Sequence, residues 1–133
     1  GGGVTLLNLY ILLRDWEDDE VSDEAIGWEI FLSALRVPFM LIAENAGHNG
    51  EYIYRSWESL TNMNDKESLS TRGFDARSGK FVDMFEAGIL DPAKVTKSVI
   101  ASAASIGGLF LTTEAIVVDH PENKKNRNTS MEF

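Results

Sequence analysis

Apolar side chains return every three or four residues through the first half of the chain, which is the period of an α-helix. This pattern predicts a first helix over Thr5–Arg14, a second over Ala25–Arg36 and a shorter piece over Phe39–Asn45. A further helix is predicted to start near Asn49, with three apolar residues along one face: Ile53, Trp57 and Leu60.

Proline, glycine and serine set the predicted ends of these helices. Pro38 lacks a backbone N–H and restricts the residue before it, so we expect the second helix to break at Val37. Gly47 ends the shorter piece, and Ser22 is a suitable N-cap for the second helix. The apolar faces together predict one core stripe, made of Phe31, Leu35, Phe39, Ile42 and Ile53.

The second half of the chain opens with a hairpin signal. Two short extended runs, Gly73–Ala76 and Gly79–Val82, flank an Arg77–Ser78 turn, and glycine after the turn is typical of a β-hairpin. Val82–Ala87 is predicted to form one short helical turn, which Gly88 closes.

A long helix is predicted from Pro92 to about Leu109, with Asp91 as its cap. Two glycines near its end each cost about 1 kcal/mol relative to alanine, so we expect close approach of another helix there. Ala115–Val118 is β-prone but too short to be stable without a partner strand. The predicted fold is mainly α, a helical bundle with a small β-hairpin and a C-terminal edge strand.

Composition excludes several functional classes. The chain has 133 residues, of which 44% are hydrophobic, so a folded core is expected rather than disorder. Its net charge of −9 repels phosphate backbones and argues against nucleic acid as a partner. It has no cysteine, and no apolar run approaches the about 20 residues that span a membrane. Because the chain opens on three glycines without a methionine, we expect it to be part of a longer protein.

Two aspartates are the candidate ligand-binding residues. Asp75 stands at the mouth of the predicted hairpin and Asp91 at a helix N-terminus, where a polar ligand can be held. Asp91 can equally be a plain N-cap, and one residue can do both. The glycines Gly1–Gly3 before a helix can let backbone N–H groups approach a phosphate, but they can also be a flexible terminus.

The residues offer little support for catalysis or metal binding. His48 and His120 lack a second histidine or a carboxylate at metal-ligand spacing. The acidic run Asp15–Glu24 lacks the glycine-centred spacing of a calcium loop and is interpreted as a solvated surface. No catalytic residue and no metal ligand is predicted in this chain.

Several blocks of sequence resemble one family. GILDPAKVTKS, followed by ASAASIGGLFLTTEAIVVDHPE, is similar to the C-terminal part of the equatorial domain of group I, GroEL-type chaperonins. The resemblance extends back through NAGHNGEYI and ALRVPF to the glycine triplet, and FEAGILDPAKVT is closest to the plastid branch. It assigns residues 1–122 to that ATP-binding domain and leaves 123–133 as a polar tail that we expect to be disordered.

The resemblance implies an ATP-dependent, ring-forming chaperonin that assists protein folding, with this chain supplying one wall of the nucleotide pocket. It implies that Gly2 lies near the nucleotide and that Asp91 accepts from the ribose hydroxyls. Asp75, Ala76 and Arg77 are implied to lie on the base side, although many members have asparagine at the first and a small residue at the third of these positions. ATP is the implied cofactor, with Mg²⁺ and K⁺ bound by upstream parts outside this chain.

The resemblance also implies partners and a compartment. The expected partners are other chaperonin subunits, together with a co-chaperonin and unfolded clients that bind through other domains; neither nucleic acid nor a membrane is expected. A plastid-type stroma is the expected location, with the mitochondrial matrix or a bacterial cytoplasm as alternatives. ATPase activity is expected only in the full-length protein, and this chain alone is expected to be inactive. The alternative is a truncated, chaperonin-like oligomerisation module without ATPase activity.

Overall fold

The computed structural model describes residues 1–15, 22–61 and 71–118. Two compact units are present, Gly1–Val99 and Ile100–Phe133. The elements in chain order are α1 (Val4–Leu13), α2 (Asp23–Asn45), α3 (Gly50–Thr61), β1 (Arg72–Asp75), β2 (Lys80–Asp83) and α4 (Ala93–Leu111). The predicted class, mainly helical with a small antiparallel hairpin, is confirmed.

Helix α2 is one continuous helix, so the predicted break at Val37 is wrong. Pro38 lies inside it and cannot donate to the carbonyl of Ala34, which removes one helical hydrogen bond. Leu35 and Phe39, on either side of the proline, are both buried, with 4% and 1% of their surface exposed. The helix therefore continues through Pro38 with buried side chains before and after it.

The core of the first unit lies where α1, α2, α3 and the hairpin meet. Trp57, Phe39 and Leu7 are its largest fully buried side chains. Of the predicted core stripe, Leu35, Phe39 and Ile53 are buried, whereas Phe31 and Ile42 are only partly buried. The other members of the buried cluster are Val4, Ala43, Tyr54, Phe74 and Met84.

Side chains cap the starts of α2 and α3, and the predicted N-cap Ser22 is confirmed. The Ser22 hydroxyl accepts from the Ala25 N–H at 3.2 Å and caps α2. Asn49 Oδ1 accepts from the Tyr52 N–H at 2.8 Å and caps α3. Each side chain satisfies one of the backbone donors that a helix leaves unpaired at its start.

Helix α3 holds the hairpin in place. The Trp57 indole Nε1–H donates to the Arg72 carbonyl at 3.1 Å, so the core tryptophan reaches the first strand. In the β1–β2 pair Phe74 is opposite Phe81, and their rings are 5.6 Å apart in an edge-to-face arrangement. The predicted hairpin is confirmed, but its turn runs from Ala76 to Gly79 and is two residues longer than the predicted Arg77–Ser78 turn.

Residues 84–88 form turns instead of the helical turn predicted over Val82–Ala87. Val82 and Asp83 extend β2, and the Asp83 carboxylate then accepts from the N–H groups of Phe85 and Glu86 at 2.9 and 3.0 Å. A short side chain that bonds to the backbone two and three residues ahead favours a turn over a helix.

A polar and aromatic cluster joins the first three helices. Arg14 Nη1 donates to Glu58 Oε1 at 2.6 Å, and the Tyr54 hydroxyl donates to the same oxygen at 3.2 Å. The Arg36 guanidinium lies over the rings of Tyr10 and Tyr54, 5.3 and 5.1 Å from their centroids. Burial is the main cause that raises the pKa of Tyr54 to about 12. Arg14, just after α1, thus brings charge to the same junction as Arg36 of α2 and Glu58 of α3.

Helix α4 matches the predicted helix within two residues at its end. None of its side chains is buried, and a Cβ added at Gly107 or Gly108 would meet no atom within 4 Å. Both glycines lie in the second unit, within which no described residue approaches them, so the close helix contact stays a prediction. Residues 115–118 form no strand, and Val117 is 99% exposed.

Length and composition make α2 long and apolar enough to cross a membrane, with a mean hydropathy of 1.6. This differs from the expectation that no segment would qualify, because the helix continues through Pro38. The buried helix of a globular core meets the same criterion, and Phe39 on α2 is such a core residue. Most of the acidic run Asp15–Glu24 and the whole tail at 123–133 lie outside the described residues.

We expect Phe39→Ala to lower the free energy of unfolding by about 3–5 kcal/mol, because it leaves a cavity between α2 and Trp57. Urea unfolding followed by circular dichroism measures this change. Leu12→Ala is the control, since Leu12 is 75% exposed on α1 and its truncation should cost less than about 1 kcal/mol. Equal losses for the two variants would place the core elsewhere.

Candidate functional site

The glycine triplet lies against the backbone of two other segments. Gly3 has φ +78°, and a Cβ on it would lie 2.8 Å from both the nitrogen and the Cα of Phe39 on α2. Gly2 has φ +63°, a backbone conformation that side chains disfavour. Only glycine lets α1 begin this close to α2. The alternative of a flexible terminus is therefore wrong for these residues.

The triplet also contacts the segment before α4. A Cβ on Gly1 would collide with the carbonyl of Ile89, and the Gly1 nitrogen lies 3.8 Å from Asp91 Oδ2. Ile89 is held in turn by its N–H, which donates to the Met84 carbonyl at 2.9 Å. Two stretches that are far apart in sequence, the triplet and residues 89–91, thus form one surface.

Met84 connects this surface to the hairpin. Its side chain is 3% exposed and fills the space beside two glycines. A Cβ on Gly2 would lie 2.7 Å from the Met84 methyl carbon, and a Cβ on Gly73 would lie 2.6 Å from the sulfur. The flexible thioether therefore packs where two backbones leave a narrow gap.

Asp75 closes the hairpin turn with its own carboxylate. Oδ1 accepts from the Arg77 N–H at 2.9 Å, and Oδ2 accepts from the Ser78 hydroxyl at 2.6 Å. The Ser78 bond is the main reason why the pKa of Asp75 lies below its ordinary value. Ala76 is half-buried against the core, while Arg77 is exposed. Both oxygens of Asp75 thus already have donors within the turn.

Asp91 is different, because its carboxylate makes no hydrogen bond within the described residues. Helix α4 begins at Ala93, and its first turn is closed by the Val95 N–H donating to the Pro92 carbonyl at 2.9 Å. The interpretation of Asp91 as a plain N-cap is therefore not supported. Its side chain is 56% exposed beside Gly1, where its acceptor oxygens can meet a ligand.

The structure brings together part of the predicted site. Gly2 and Asp91 belong to one surface through Gly1, and the Phe74 carbonyl at the end of β1 lies 3.8 Å from a Cβ on Gly2. Sequence reasoning missed Met84 and Ile89, the two residues that join the triplet to the hairpin and to Asp91. Apolar residues between turn signals give no indication of which backbone they will contact.

This surface offers two features to a polar ligand. The Asp91 carboxylate can accept hydrogen bonds from hydroxyl groups, and the N-terminus of α1 behind the triplet favours a nearby anion. Within residues 1–15, 22–61 and 71–118, no three His, Asp or Glu side chains are grouped as a metal site would require.

The chain is mainly helical, with a small hairpin and a polar surface lined by glycines. Comparisons of its sequence and structure with known proteins identify its family. Residues 1–121 match the TCP-1/cpn60 chaperonin family, and the chain belongs to that family. An open-state monomer of a group II chaperonin from Methanococcoides burtonii has a TM-score of 0.74 and 25% identity, covering 85% of this chain and 27% of that one. A group III chaperonin in the open state has a TM-score of 0.76 and 30% identity, covering 88% and 23%.

These comparisons confirm the predicted family but not its subdivision. The chain spans about a quarter of the length of either structure. Both structures come from groups other than group I, so the group I and plastid assignments are not supported by them.

We expect Gly3→Ala to lower the free energy of unfolding by about 2 kcal/mol or more. The methyl group would meet the Phe39 backbone, which cannot move aside as a side chain can, and φ is positive. Gly27→Ala is the matched control, because Gly27 lies in α2 with open space around it and alanine should stabilise that helix by up to about 1 kcal/mol. Urea unfolding of both variants measures the two changes in the free energy of unfolding. A Gly3→Ala variant as stable as the unchanged protein would contradict the close contact between Gly3 and the Phe39 backbone.

The Asp75 turn should make stability depend on acid pH. Because its pKa is lowered by folding, the carboxylate stabilises the protein above its unfolded pKa of about 4, and this is lost as pH falls through the lower folded value. Asp75→Asn should therefore flatten the fall in urea midpoint below about pH 4. Ser78→Ala should have the same effect in part, since it removes the main donor. If the urea midpoint of both variants falls in acid as steeply as that of the unchanged protein, this account is contradicted.

Proposed function

We propose that this chain forms one wall of the nucleotide pocket of an ATP-dependent chaperonin that assists protein folding. The observation that carries the proposal is the contact between the glycine triplet and residues 89–91, beside an exposed carboxylate with no hydrogen bond to the described residues. Family membership supports the proposal, since the predicted pocket residues belong to the matched region.

Within this proposal Asp91 accepts from the two ribose hydroxyls. A carboxylate that takes two hydroxyl donors forms charge-assisted bonds, which are stronger than neutral ones. Gly2 carries no side chain because a Cβ there would meet the buried Met84 methyl, so only its backbone can contact a ligand. These two residues are the best supported of the proposed ligand contacts.

The hairpin has a weaker role in the proposal. The Asp75 carboxylate keeps the turn closed, so we assign it to shaping the base side of the pocket together with Ala76. Arg77 is exposed on the same turn and can stack on a base or reach a phosphate. An asparagine at Asp75 could also donate to a base, which an aspartate cannot do.

Within this proposal, hydrolysis of ATP requires residues in addition to the described ones. We propose that ligands for Mg²⁺ and K⁺ come from preceding parts of a longer polypeptide, and that the 133 residues alone neither hydrolyse ATP nor fold clients. Other chaperonin subunits are the proposed partners in a ring; a co-chaperonin and clients would bind through further domains. The group I assignment and a location in a plastid-type stroma stay predictions from FEAGILDPAKVT and TTEAIVVDHPE.

A second candidate is an oligomerisation module without ATPase activity. The observation that favours it is the large exposed apolar surface of α2, where Ile26, Ile30, Val37 and Leu41 are each at least half exposed. Such surface is typical of protein contacts.

Titration of the chain with ATP, followed by amide NMR, tests the proposed pocket. We expect shifts to concentrate at Gly2, Ile89 and Asp91, and Asp91→Ala to weaken binding about tenfold or more because it removes a charged acceptor. Glu86→Ala is the matched control, as this exposed carboxylate lies nearby and only its backbone N–H is used. Equal affinity of the two variants, or shifts centred on α3, would contradict the pocket; hydrolysis above background would contradict the inactivity.

A further inference from the structure

Met84 lies at one corner of a closed ring of contacts. Its terminal methyl packs on Gly2, where an added Cβ would lie 2.7 Å from that carbon. Gly2 follows Gly1, which lies against the carbonyl of Ile89. The Ile89 N–H in turn donates to the carbonyl of Met84 at 2.9 Å. The side chain and the backbone of Met84 therefore reach the same place, where the triplet meets residues 89–91, by two routes.

The backbone route runs through a short loop whose hydrogen bonds are all internal. Each backbone N–H of residues 85–89 donates to an acceptor within residues 83–85, at 2.9–3.1 Å. A change in the shape of this loop would break some of these bonds, so Ile89 keeps its place relative to Met84. Asp91 follows only two residues further on, and its backbone is therefore tied to the same loop.

The hairpin fixes the other side of Met84. The Met84 N–H donates to the Thr71 carbonyl at 2.8 Å, just beyond the last residue pair of β1 and β2. The sulfur packs over Gly73, 2.6 Å from the position of an added Cβ, and the side chain is 3% exposed. The hairpin thus determines where the terminal methyl of Met84 stands, and that methyl meets Gly2.

We propose that Met84 is a positioning residue for the nucleotide site. The reach of its side chain sets where the Gly2 backbone stands relative to the Asp91 carboxylate, and these are the two ligand contacts proposed above. The effect on a ligand rests on the proposed function, whereas the placement of Gly2 by Met84 does not. If the terminal methyl is removed, the triplet can relax into the space that it leaves, and the spacing of the two contacts changes.

Reach, and not volume, is the property on which this role depends. Leucine and methionine have similar volumes, and their exchange in a core is well tolerated. The leucine branches end at the distance of the methionine sulfur, one bond short of the methyl that meets Gly2. Met84→Leu therefore keeps packing over Gly73 and removes packing on Gly2. An unbranched, flexible side chain is the kind that fills such a narrow gap between two backbones.

Met84→Leu separates a positioning role from a purely structural one. We expect a urea midpoint close to that of the unchanged protein, displaced amide signals at Gly2 and Asp91 without ligand, and about tenfold weaker binding of ATP. Phe85→Leu is the matched control, because Phe85 is the next residue and is 64% exposed, and it should alter none of the three. Unchanged amide signals together with unchanged ATP affinity in Met84→Leu would overturn the proposal.

A double-mutant cycle tests the contact between Met84 and Gly2 directly. Gly2→Ala places a methyl group against the Met84 methyl, and it also strains a backbone with φ +63°. The backbone strain is the same in both backgrounds, whereas the collision occurs only with methionine. We expect Gly2→Ala to lower the urea midpoint more in the unchanged protein than in Met84→Leu. Equal losses in the two backgrounds would show that Met84 does not hold Gly2 in place, and would overturn the proposal.

The two experiments distinguish a failure of this inference from a failure of the proposed function. If the unchanged chain binds no ATP, the nucleotide pocket is wrong. The double-mutant cycle and the ligand-free amide signals of Asp91 then still decide whether Met84 positions the triplet. If the unchanged chain binds ATP and Met84→Leu binds it equally well, the pocket is supported and the positioning role is wrong.

Discussion

The whole first unit depends on backbones that touch without a side chain between them. Gly3 lies against the backbone of Phe39, and Gly1 lies against the carbonyl of Ile89. Phe39 is also among the most buried residues of the core, so the same residue anchors the core by its ring and the triplet by its backbone. A change in core packing at this point would therefore move the proposed nucleotide surface. Stability and the site cannot be varied independently here.

Three aspartates, Asp75, Asp83 and Asp91, lie in similar sequence settings. They have different roles because their hydrogen bonds differ. Asp75 and Asp83 each accept donors from the turn that follows, and these bonds hold the pKa of both carboxylates below the ordinary value. Asp91 has no hydrogen bond to the described residues, although it precedes a helix and a proline as a cap would. Turn-closing carboxylates stabilise local structure, whereas a carboxylate left exposed beside a glycine backbone can serve a ligand. The hydrogen-bond partners, which no sequence pattern displays, distinguish the two uses.

Local signals predicted most of the elements, and contacts distant in sequence decided the rest. The periods of α1 and α3, the glycine after the hairpin turn and the start of α4 are local, and each was predicted within a few residues. The helix end predicted at Pro38 was wrong because a proline locally favours such an end, whereas α2 continues through it with Leu35 and Phe39 buried on either side. The role of Met84 was missed for the same reason, since it depends on Gly2 and Gly73 meeting in space. The family resemblance supplied the pocket residues; the physics of the chain alone suggested only Asp75, Asp91 and the triplet.

Helix α2 shows why periodicity could not tell its core face from its outer face. Ile26 and Ile30 recur at helical spacing as regularly as Leu35 and Phe39, so the apolar pattern continues around the helix. Which pair becomes buried is decided by the short connection at residues 46–49, which brings α3 back onto one side, and by the glycine triplet, which brings α1 there too. Once both neighbours occupy that side, the remaining stripe has no cover within the unit. Any burial of this face therefore depends on parts of the protein outside Gly1–Val99, which the period of the helix alone does not reveal.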